Sequence, residues 1–427
     1  MRLKLLLLTI ALIISNGSFC QKSSYYRRVF VDAEYYLLYE EYQDALPLYF
    51  ELYQHYPNNA NIAYRIGLCY LHIPNQKTKS IKYFEKALGN ITDNYKEGYF
   101  TETSTPHEVL LYYGEALRIN NELDKALKAF KDYQNKLKPN DLREQRVVQK
   151  EIESVNYAKV QIENPKKHII EPIQGNINTQ FPEINPLVDS SGNTIYYTSI
   201  QRFYNAILSS ERNTNTYWKN PINLNAQLWA EGVIKTVGIS LSGDFLILAR
   251  NDNDVFNLYF SKYDKATKTW SQISKFPKEI NSKSWETFGS LSATGDTLFF
   301  SSNREGGFGG FDIYMSIRTN DGWSNPINLG NKVNSEYDEI APFVTENGKR
   351  LFFSSNGFKT MGGFDLFYAN FENNTWGIPQ NLGYPINTTD DDTFLFPIKN
   401  GKRGFISRGS EKTGNEDIYE VKIDITE

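Results

Sequence analysis

Two kinds of hydrophobic spacing divide the chain. From residue 24 to about residue 163, apolar residues recur at helical spacing and the segments come in pairs. After Pro165 the pattern changes to short alternating runs such as TIYYTS, FLILAR, TLFFSS and RLFFSS, which are separated by Gly, Asn and Asp. The sequence therefore predicts an α+β multidomain protein. An all-α part at 24–163 precedes an all-β part at 168–427, and NPKK at 164–167 is the linker.

The helical part contains three related units that combine small and aromatic residues. The first carries Ala33, Tyr36, Tyr42, Ala45, Tyr49 and Pro57; the second Gly67, Tyr70, Ser80, Phe84 and Ala87; the third Gly114, Leu117, Ala126, Phe130 and Pro139. A small residue on one helix lets an aromatic residue of its partner helix pack closely. A polar segment at 90–105 interrupts the units, and 141–163 is expected to be a capping helix at the open end of the stack.

These units resemble the tetratricopeptide repeat over about residues 24–139, although the Trp of that repeat's first helix is missing here. The resemblance implies a helical array. Such arrays offer concave surfaces to peptides or helices, but three units can equally serve as a spacer, and both roles stay open.

The strand-rich part repeats with a period near 50 residues. Trp218, Trp270, Trp323 and Trp376 are separated by 52, 53 and 53 residues, and each is followed 25 residues later by a glycine. The five turn glycines, one of which belongs to a copy without the Trp, are Gly192, Gly243, Gly295, Gly348 and Gly401. Four predicted strands per copy and this period are typical of propeller blades, so a five-bladed β-propeller is expected.

The ends of the strand-rich part predict how the propeller closes. The strand around residues 417–423 is a third blade strand that no outer strand follows, and 168–173 is an outer strand that no blade precedes. Pairing them removes two sheet edges at once. We therefore expect strand 168–173 to complete the fifth blade, and the propeller to be complete at Glu427.

Repeated acidic residues are the main candidates for chemistry. Glu183, Glu286, Glu339 and Asp392 each lie nine residues before a turn glycine, with Ile234 at this position in the second copy. They are a candidate channel-mouth acidic ring that would attract a cation or a basic partner segment. The alternative, which repetition across four of the five copies favours, is that each carboxylate caps nearby backbone amides.

Other repeated residues are assigned to the architecture of the blade. The four Trp residues are expected on outer strands, wedged between blades. Asp312, Asp365 and Asp417, with Asn257 in the second copy, are expected to form hydrogen bonds in a turn beside the third strand. The loops at 303–310 and 356–363 are so rich in glycine that we expect tight turns or a binding rim in place of packed segments.

Several functional classes find no support in the sequence. The net charge of -4 argues against nucleic acid as a partner. Four scattered histidines give no zinc or Cys/His site, and the glycine-rich loops lack the setting and Lys of a phosphate loop, so no cofactor is expected. Five-bladed propellers also house glycoside hydrolases, but no asymmetric pair of carboxylates is found, and a carbohydrate-binding propeller is the other alternative. We expect a protein that is not an enzyme.

Residues 1–20 have the pattern of a secretory leader. Two basic residues precede an apolar run from Leu5 to Ile14, which is shorter than a membrane span. We place cleavage near Cys20, with lipidation of Cys20 as the alternative. Cys69 then remains the only cysteine, expected as a buried thiol, so no intramolecular disulfide forms. No transmembrane segment is expected once the leader is removed.

The leader, the helical units and the W…N-S…G…D-I-Y copies together are similar to the WD-like, TolB-type propeller proteins of the Bacteroidetes envelope. In that family, an OmpA-like peptidoglycan-binding domain often follows, and one architecture is associated with type IX secretion. Here the chain stops at Glu427, so no direct peptidoglycan anchor is expected. The resemblance implies an envelope scaffold that holds protein partners, in the periplasm or at the outer membrane, with release into the medium left open.

Overall fold

The computed structural model describes residues 24–213, 216–410 and 412–425. The predicted leader and its Cys20 lie outside the described residues. The chain forms two compact units with their boundary between Ile152 and Glu153. A helical part followed by a five-bladed propeller confirms the predicted fold class.

The helical unit is built from successive pairs of helices. Residues 24–38 form α1. The later helices are α2 (Tyr42–His55), α3 (Ala60–His72), α4 (Ile81–Ala87), α5 (Val109–Ile119), α6 (Leu123–Gln134) and α7 (Leu142–Glu163), with short 3-10 turns at Lys77–Ser80 and Leu88–Asn90. The boundary between the two compact units falls within α7. This helix covers nearly the same residues as the capping helix predicted at 141–163.

Small residues of one helix receive aromatic rings of the next. Gly67 of α3 faces Phe84 of α4 so closely that an added Cβ would lie 2.5 Å from the ring, and Gly114 of α5 faces Phe130 of α6 in the same way. Both rings are fully buried. The predicted nesting is therefore the packing that joins these helix pairs.

The segment between α4 and α5 folds back on α1 and α3. Arg65 of α3, which is 3% exposed, forms ion pairs with Glu34 of α1 and with Glu97 of this segment. The Tyr95 hydroxyl donates to the Asn61 side chain at 2.7 Å. A polar segment that reads as an insertion thus supplies partners to a buried charge.

The propeller has five antiparallel blades, each with an inner, a second and a third strand. In blade order these are Glu183–Val188, Thr194–Ile200 and Asn205–Glu211; Ile234–Ile239, Phe245–Asp252 and Val255–Asp264; Glu286–Leu291, Thr297–Ser302 and Asp312–Thr319; Glu339–Val344, Arg350–Ser355 and Asp365–Glu372; and Leu395–Ile398, Arg403–Gly409 and Glu416–Lys422. Neighbouring strands pair in sequence order.

The outer edge of each blade is made of very short strands. Blade 1 has Ile222–Asn223, blade 2 Thr269–Trp270 and Ser274–Lys275, blade 3 Gly322–Trp323 and Ile327–Asn328, and blade 4 Thr375–Trp376 and Gln380–Asn381. Tyr217–Trp218 pairs in parallel with Gln174–Gly175, and a helical turn at Asn225–Leu228 follows blade 1.

Blade 5 takes its outer strand from the other end of the propeller sequence. Ile169–Pro172 pairs antiparallel with the third strand of blade 5, with Ile169 opposite Lys422 and Pro172 opposite Tyr419. Because this pairing joins the segment before blade 1 to blade 5, the ring of blades is closed by hydrogen bonds.

Candidate functional site

The four repeated carboxylates lie where the inner strands begin, and each is turned into the protein. Each accepts hydrogen bonds of 2.5 to 3.0 Å from the backbone N–H and the hydroxyl of the residue four positions earlier. The pairs are Thr179 with Glu183, Ser282 with Glu286, Ser335 with Glu339, and Thr388 with Asp392. The three glutamates are fully buried and the aspartate is 7% exposed. This geometry differs from an open acidic ring at a channel mouth.

Further donors complete each carboxylate site, a serine at three of the four and an arginine at two. Second-strand serines donate to Glu183, Glu286 and Glu339. Arg304 adds an ion pair of 3.0 Å to Glu286, and Arg408 forms one of 3.1 Å with Asp392. The two arginines also donate to backbone carbonyls of the preceding connectors.

Burial is the largest electrostatic effect on Glu183, Glu339 and Asp392. It raises the pKa of Glu183 to about 7 and that of Asp392 to about 6, and it raises the pKa of Glu339 above its usual range. The hydrogen-bond donors act in the opposite direction because they stabilise the ionised form. The neighbouring Asp417 adds to the increase at Glu183.

An asparagine precedes each of the Ser or Thr donors and clamps the third strand of the blade before it. Asn334, for example, accepts from the Ile313 N–H at 2.8 Å and donates to the Ile313 carbonyl at 3.0 Å. The same pair of hydrogen bonds joins Asn178 to Ile418, Asn281 to Leu258, and Asn387 to Leu366. Each Asn-Ser or Asn-Thr pair therefore ties one blade to the next through two side chains.

Blade 2 departs from this pattern. Ile234, which is fully buried, stands in place of the carboxylate. Asn225 still bonds the third strand of blade 1 through the Ile207 N–H at 2.7 Å. The strand clamp is thus retained at this junction, while the carboxylate is replaced by an apolar contact.

The repeated aspartates hold the loops that precede the third strands. Asp312 accepts from the Phe308 and Gly309 N–H groups and from the Asn328 side chain. Asp365 accepts in the same way from the Met361 and Gly362 N–H groups and from the Asn381 side chain. Burial raises the pKa of Asp365 to about 8. Asp417 accepts from the Thr413 hydroxyl at 2.8 Å, and Asn257 donates to Asp252 at 3.2 Å.

The two glycine-rich loops differ in burial: 356–363 is largely buried, contrary to the expectation from its composition, whereas most of 303–310 is exposed, including Phe308 at 52%. An added Cβ at Gly309 would collide with the Tyr337 carbonyl, and one at Gly362 would collide with the Asp390 carbonyl. The loops therefore lie against the start of the following blade. Their glycines are needed for close approach of two backbones.

The remaining repeated residues also serve the blades. Trp270 meets Tyr196 of blade 1 edge to face, with ring centroids 5.5 Å apart, and Trp376 meets Phe299 of blade 3 at 6.4 Å. Trp218 is buried and Trp323 lies 6.0 Å from Phe276. Turn glycines Gly192, Gly243, Gly295, Gly348 and Gly401 all have φ between 69° and 83°, a backbone conformation that favours glycine.

Sequence reasoning did not identify the arginines or the role of the asparagines. The N-S and N-T pairs were visible as repeated letters, and their spacing of four residues from the carboxylate was the signal that could have linked them. Arg304 and Arg408 gave no such signal because they occur in only two blades. Together these contacts leave none of the repeated carboxylates arranged as a general acid and a nucleophile.

Elsewhere in the described chain, chemistry-bearing residues are few. Cys69 is buried, and burial raises its pKa to about 12, as for an unreactive thiol. Within residues 24–213, 216–410 and 412–425, no three His, Cys, Asp or Glu side chains group as metal ligands. No helix in those ranges has the length and apolarity to span a membrane.

Cavities in the propeller include an open one of about 560 Å³ beside Trp229 and two others. A small one of about 140 Å³ is surrounded by the ends of the inner strands, including Val188, Ile239, Leu291, Val344 and Ile398. A larger cleft of about 550 Å³ lies between blades 3 and 4 beside Trp376. This cleft between blades 3 and 4 has the size of a small-molecule site.

Comparison with known proteins gives structural neighbours only. No family model matches the chain, and no curated protein matches it. TolB from Acinetobacter baumannii is 16% identical with a TM-score of 0.36, over 58% of this chain and 56% of that one. A putative TolB from Agrobacterium tumefaciens is 14% identical with a TM-score of 0.36, over 61% of this chain and 92% of that one.

An endo-arabinase from Bacteroides thetaiotaomicron is 15% identical with a TM-score of 0.39, over 60% of this chain and 98% of that one. The chain thus spans little more than half of the A. baumannii protein. No family is assigned to the chain from similarities of this size.

Proposed function

We propose that this protein is an exported, non-catalytic scaffold that binds other proteins in the bacterial cell envelope. Its helical unit follows the tetratricopeptide pattern, and its propeller supplies a second binding body. The sequence resemblance to Bacteroidetes envelope proteins suggests partners among envelope or type IX secretion components, in the periplasm or at the outer membrane.

The observation that carries this proposal is an apolar stripe along α1 and the residue that follows it, called the α1 stripe. Val31, Tyr35, Leu38 and Tyr39 follow one another at helical spacing, and their exposed fractions are 57%, 57%, 78% and 61%. Tyr35 and Tyr39 lie side by side with ring centroids 4.8 Å apart. A contiguous exposed patch of this kind on a folded unit marks an interaction surface.

The chemistry of the propeller favours the same reading over the glycoside-hydrolase alternative. A retaining or inverting glycosidase needs two carboxylates that face a shared sugar. Here the repeated carboxylates are buried and bonded to connector amides and hydroxyls. They hold neighbouring blades together, which suits a rigid binding platform.

Affinity capture from envelope extracts of the source bacterium tests the proposal. The baits are the full mature chain, the Leu38→Ser/Tyr39→Ser variant, and the control Lys131→Ser/Lys136→Ser, which changes two exposed residues elsewhere on the helical unit. We expect envelope proteins to be captured by the first and third baits and lost from the second. Equal capture by all three baits would contradict a role for the stripe. Capture of glycans alone would contradict the scaffold.

A further inference from the structure

The cleft between blades 3 and 4 is explained by comparison with the junction before it. Between blades 2 and 3, Phe245, Phe260 and Phe276 pack together, with centroids 5.0 Å apart for both Phe245–Phe260 and Phe260–Phe276. Trp323 of blade 3 covers this cluster at 6.0 Å from Phe276. Aromatic rings therefore fill that junction.

The same repeat positions hold smaller side chains at the next junction. Thr297 begins its strand as Phe245 does. Leu329 and Phe276 each donate their N–H to the third strand at equivalent positions. Met315 takes the place of Phe260. Three rings are thus replaced by smaller groups beneath Trp376, and a cleft of about 550 Å³ remains.

Large apolar side chains form much of the wall of this cleft, beside the polar residues Ser292, Asn328 and Thr375. Phe299, Val344 and Trp376 line it together with the three small replacements, and the exposed Phe371 lies 4.8 Å from the Trp376 ring. An apolar group that entered would be removed from water on several sides, which favours its binding.

The rim of the cleft is polar and carries a positive charge. Lys332 lines it with Asn331 and Asn374, and all three residues are exposed. Within the described residues the Lys332 ammonium has no hydrogen bond or ion pair. At the filled junction, the position of Lys332 is occupied by Glu279. The open cleft thus has Lys332 at this rim position, whereas the filled junction has Glu279 there, with its own lysine, Lys278, one residue earlier at the position of Asn331.

We propose that this cleft binds a small molecule that combines an aromatic or branched apolar group with a carboxylate. The apolar group lies among Thr297, Met315, Leu329 and Trp376, and the carboxylate meets Lys332. The volume fits one such molecule, since small-molecule sites span roughly 300 to 1,000 Å³. This site is independent of the α1 stripe and of the scaffold role.

Calorimetric titration of the full mature chain with N-acetyl-L-tryptophan tests the site. N-acetyl-L-tryptophanamide removes the charge and N-acetylglycine removes the apolar group. We expect the acid to bind, the amide to bind about two- to fivefold more weakly, as for an exposed ion pair, and N-acetylglycine not to bind. No binding of the acid, or equal affinities for acid and amide, would overturn the proposal.

Two sets of variants locate the binding. Lys332→Ala should weaken binding of the acid two- to fivefold, as removal of the ligand's charge does, with little effect on binding of the amide. Lys283→Ala, at an exposed position outside the cleft, should change the affinity for neither probe. Leu329→Phe and Thr297→Phe copy the filled junction and should abolish binding of both probes. Unchanged binding in a folded filling variant would overturn the proposal, as would an identical loss of acid and amide in Lys332→Ala. Lys332→Ala changes an exposed residue and no core residue, so its effect on binding of the acid still tests the proposal if the filling variants do not fold.

Discussion

Replacing Gly67 with alanine tests the packing that defines the helical unit. The added methyl group would lie 2.5 Å and 2.6 Å from two carbons of the Phe84 ring. Unstrained carbon contacts are about 3.5 to 4.0 Å, so ring and helix must separate by about 1 Å or more. Phe84 is fully buried, so its ring cannot turn out into solvent without opening the helix pair.

Two opposing effects set the size of the change. Overpacking of a core costs about 1 to 3 kcal/mol, and the severity of this clash places it near the upper end. Alanine gains about 1 kcal/mol over glycine in helix propensity. The net loss is about 2 kcal/mol for opening α3 from α4, which raises the open population about 30-fold.

Hydrogen exchange measured on peptides from α3 and α4 reads this local opening. Gly89→Ala is the matched control, because no atom lies within 4 Å of a Cβ at that position. The double variant Gly67→Ala/Phe84→Leu should lose less stability against local opening than the two single variants lose together, since the smaller leucine side chain relieves the clash. Unchanged exchange in Gly67→Ala, or strict additivity in the double variant, would refute the nesting.

Three predictions concern the propeller, whose six tryptophans report its unfolding by fluorescence. Burial raises the pKa of Asp365 to about 8 and of Glu183 to about 7, above about 4 in the unfolded chain, so the folded state retains protons that the unfolded state releases. The free energy of unfolding in urea should therefore fall as pH rises from 5 to 9, and a rise would contradict this. Arg304→Met leaves the buried Glu286 without its ion pair and should lower the free energy of unfolding by about 3 to 5 kcal/mol. Adding Glu286→Gln should restore part of that loss, and a loss below about 1 kcal/mol in the single variant would argue against the pairing. Asn334→Ala unpairs a buried N–H and carbonyl and should cost about 2 kcal/mol or more in the same assay, whereas a neutral change would count against the clamp.

The blade architecture was predictable because its signals recur. Trp spacing, turn glycines and alternating runs repeat in register, and every copy reinforces the same assignment. The small and aromatic positions at Gly67 and Phe84 were also readable, since close packing restricts the residue types allowed there. Repetition thus substitutes for the three-dimensional information that one copy lacks.

The direction of side chains could not be read in this way. Glu339 has the same sequence context whether it faces a channel or bonds the Ser335 N–H, and only the fold distinguishes the two. The glycine-rich loops also show that composition does not reveal which neighbours a segment contacts. Their composition suggested free turns, but a second backbone occupies the space at Gly309.

The pairing that closes the propeller also has a consequence for the order of folding. Ile169 meets Lys422 across about 250 residues, so blade 5 cannot gain its outer strand until residues on both sides of the whole ring are available. Contacts of such separation form slowly because a long loop must close first. During synthesis, blades 1 to 4 can therefore form before the ring is closed. A propeller interrupted before residue 416 would expose two unpaired strand edges, which are templates for aggregation.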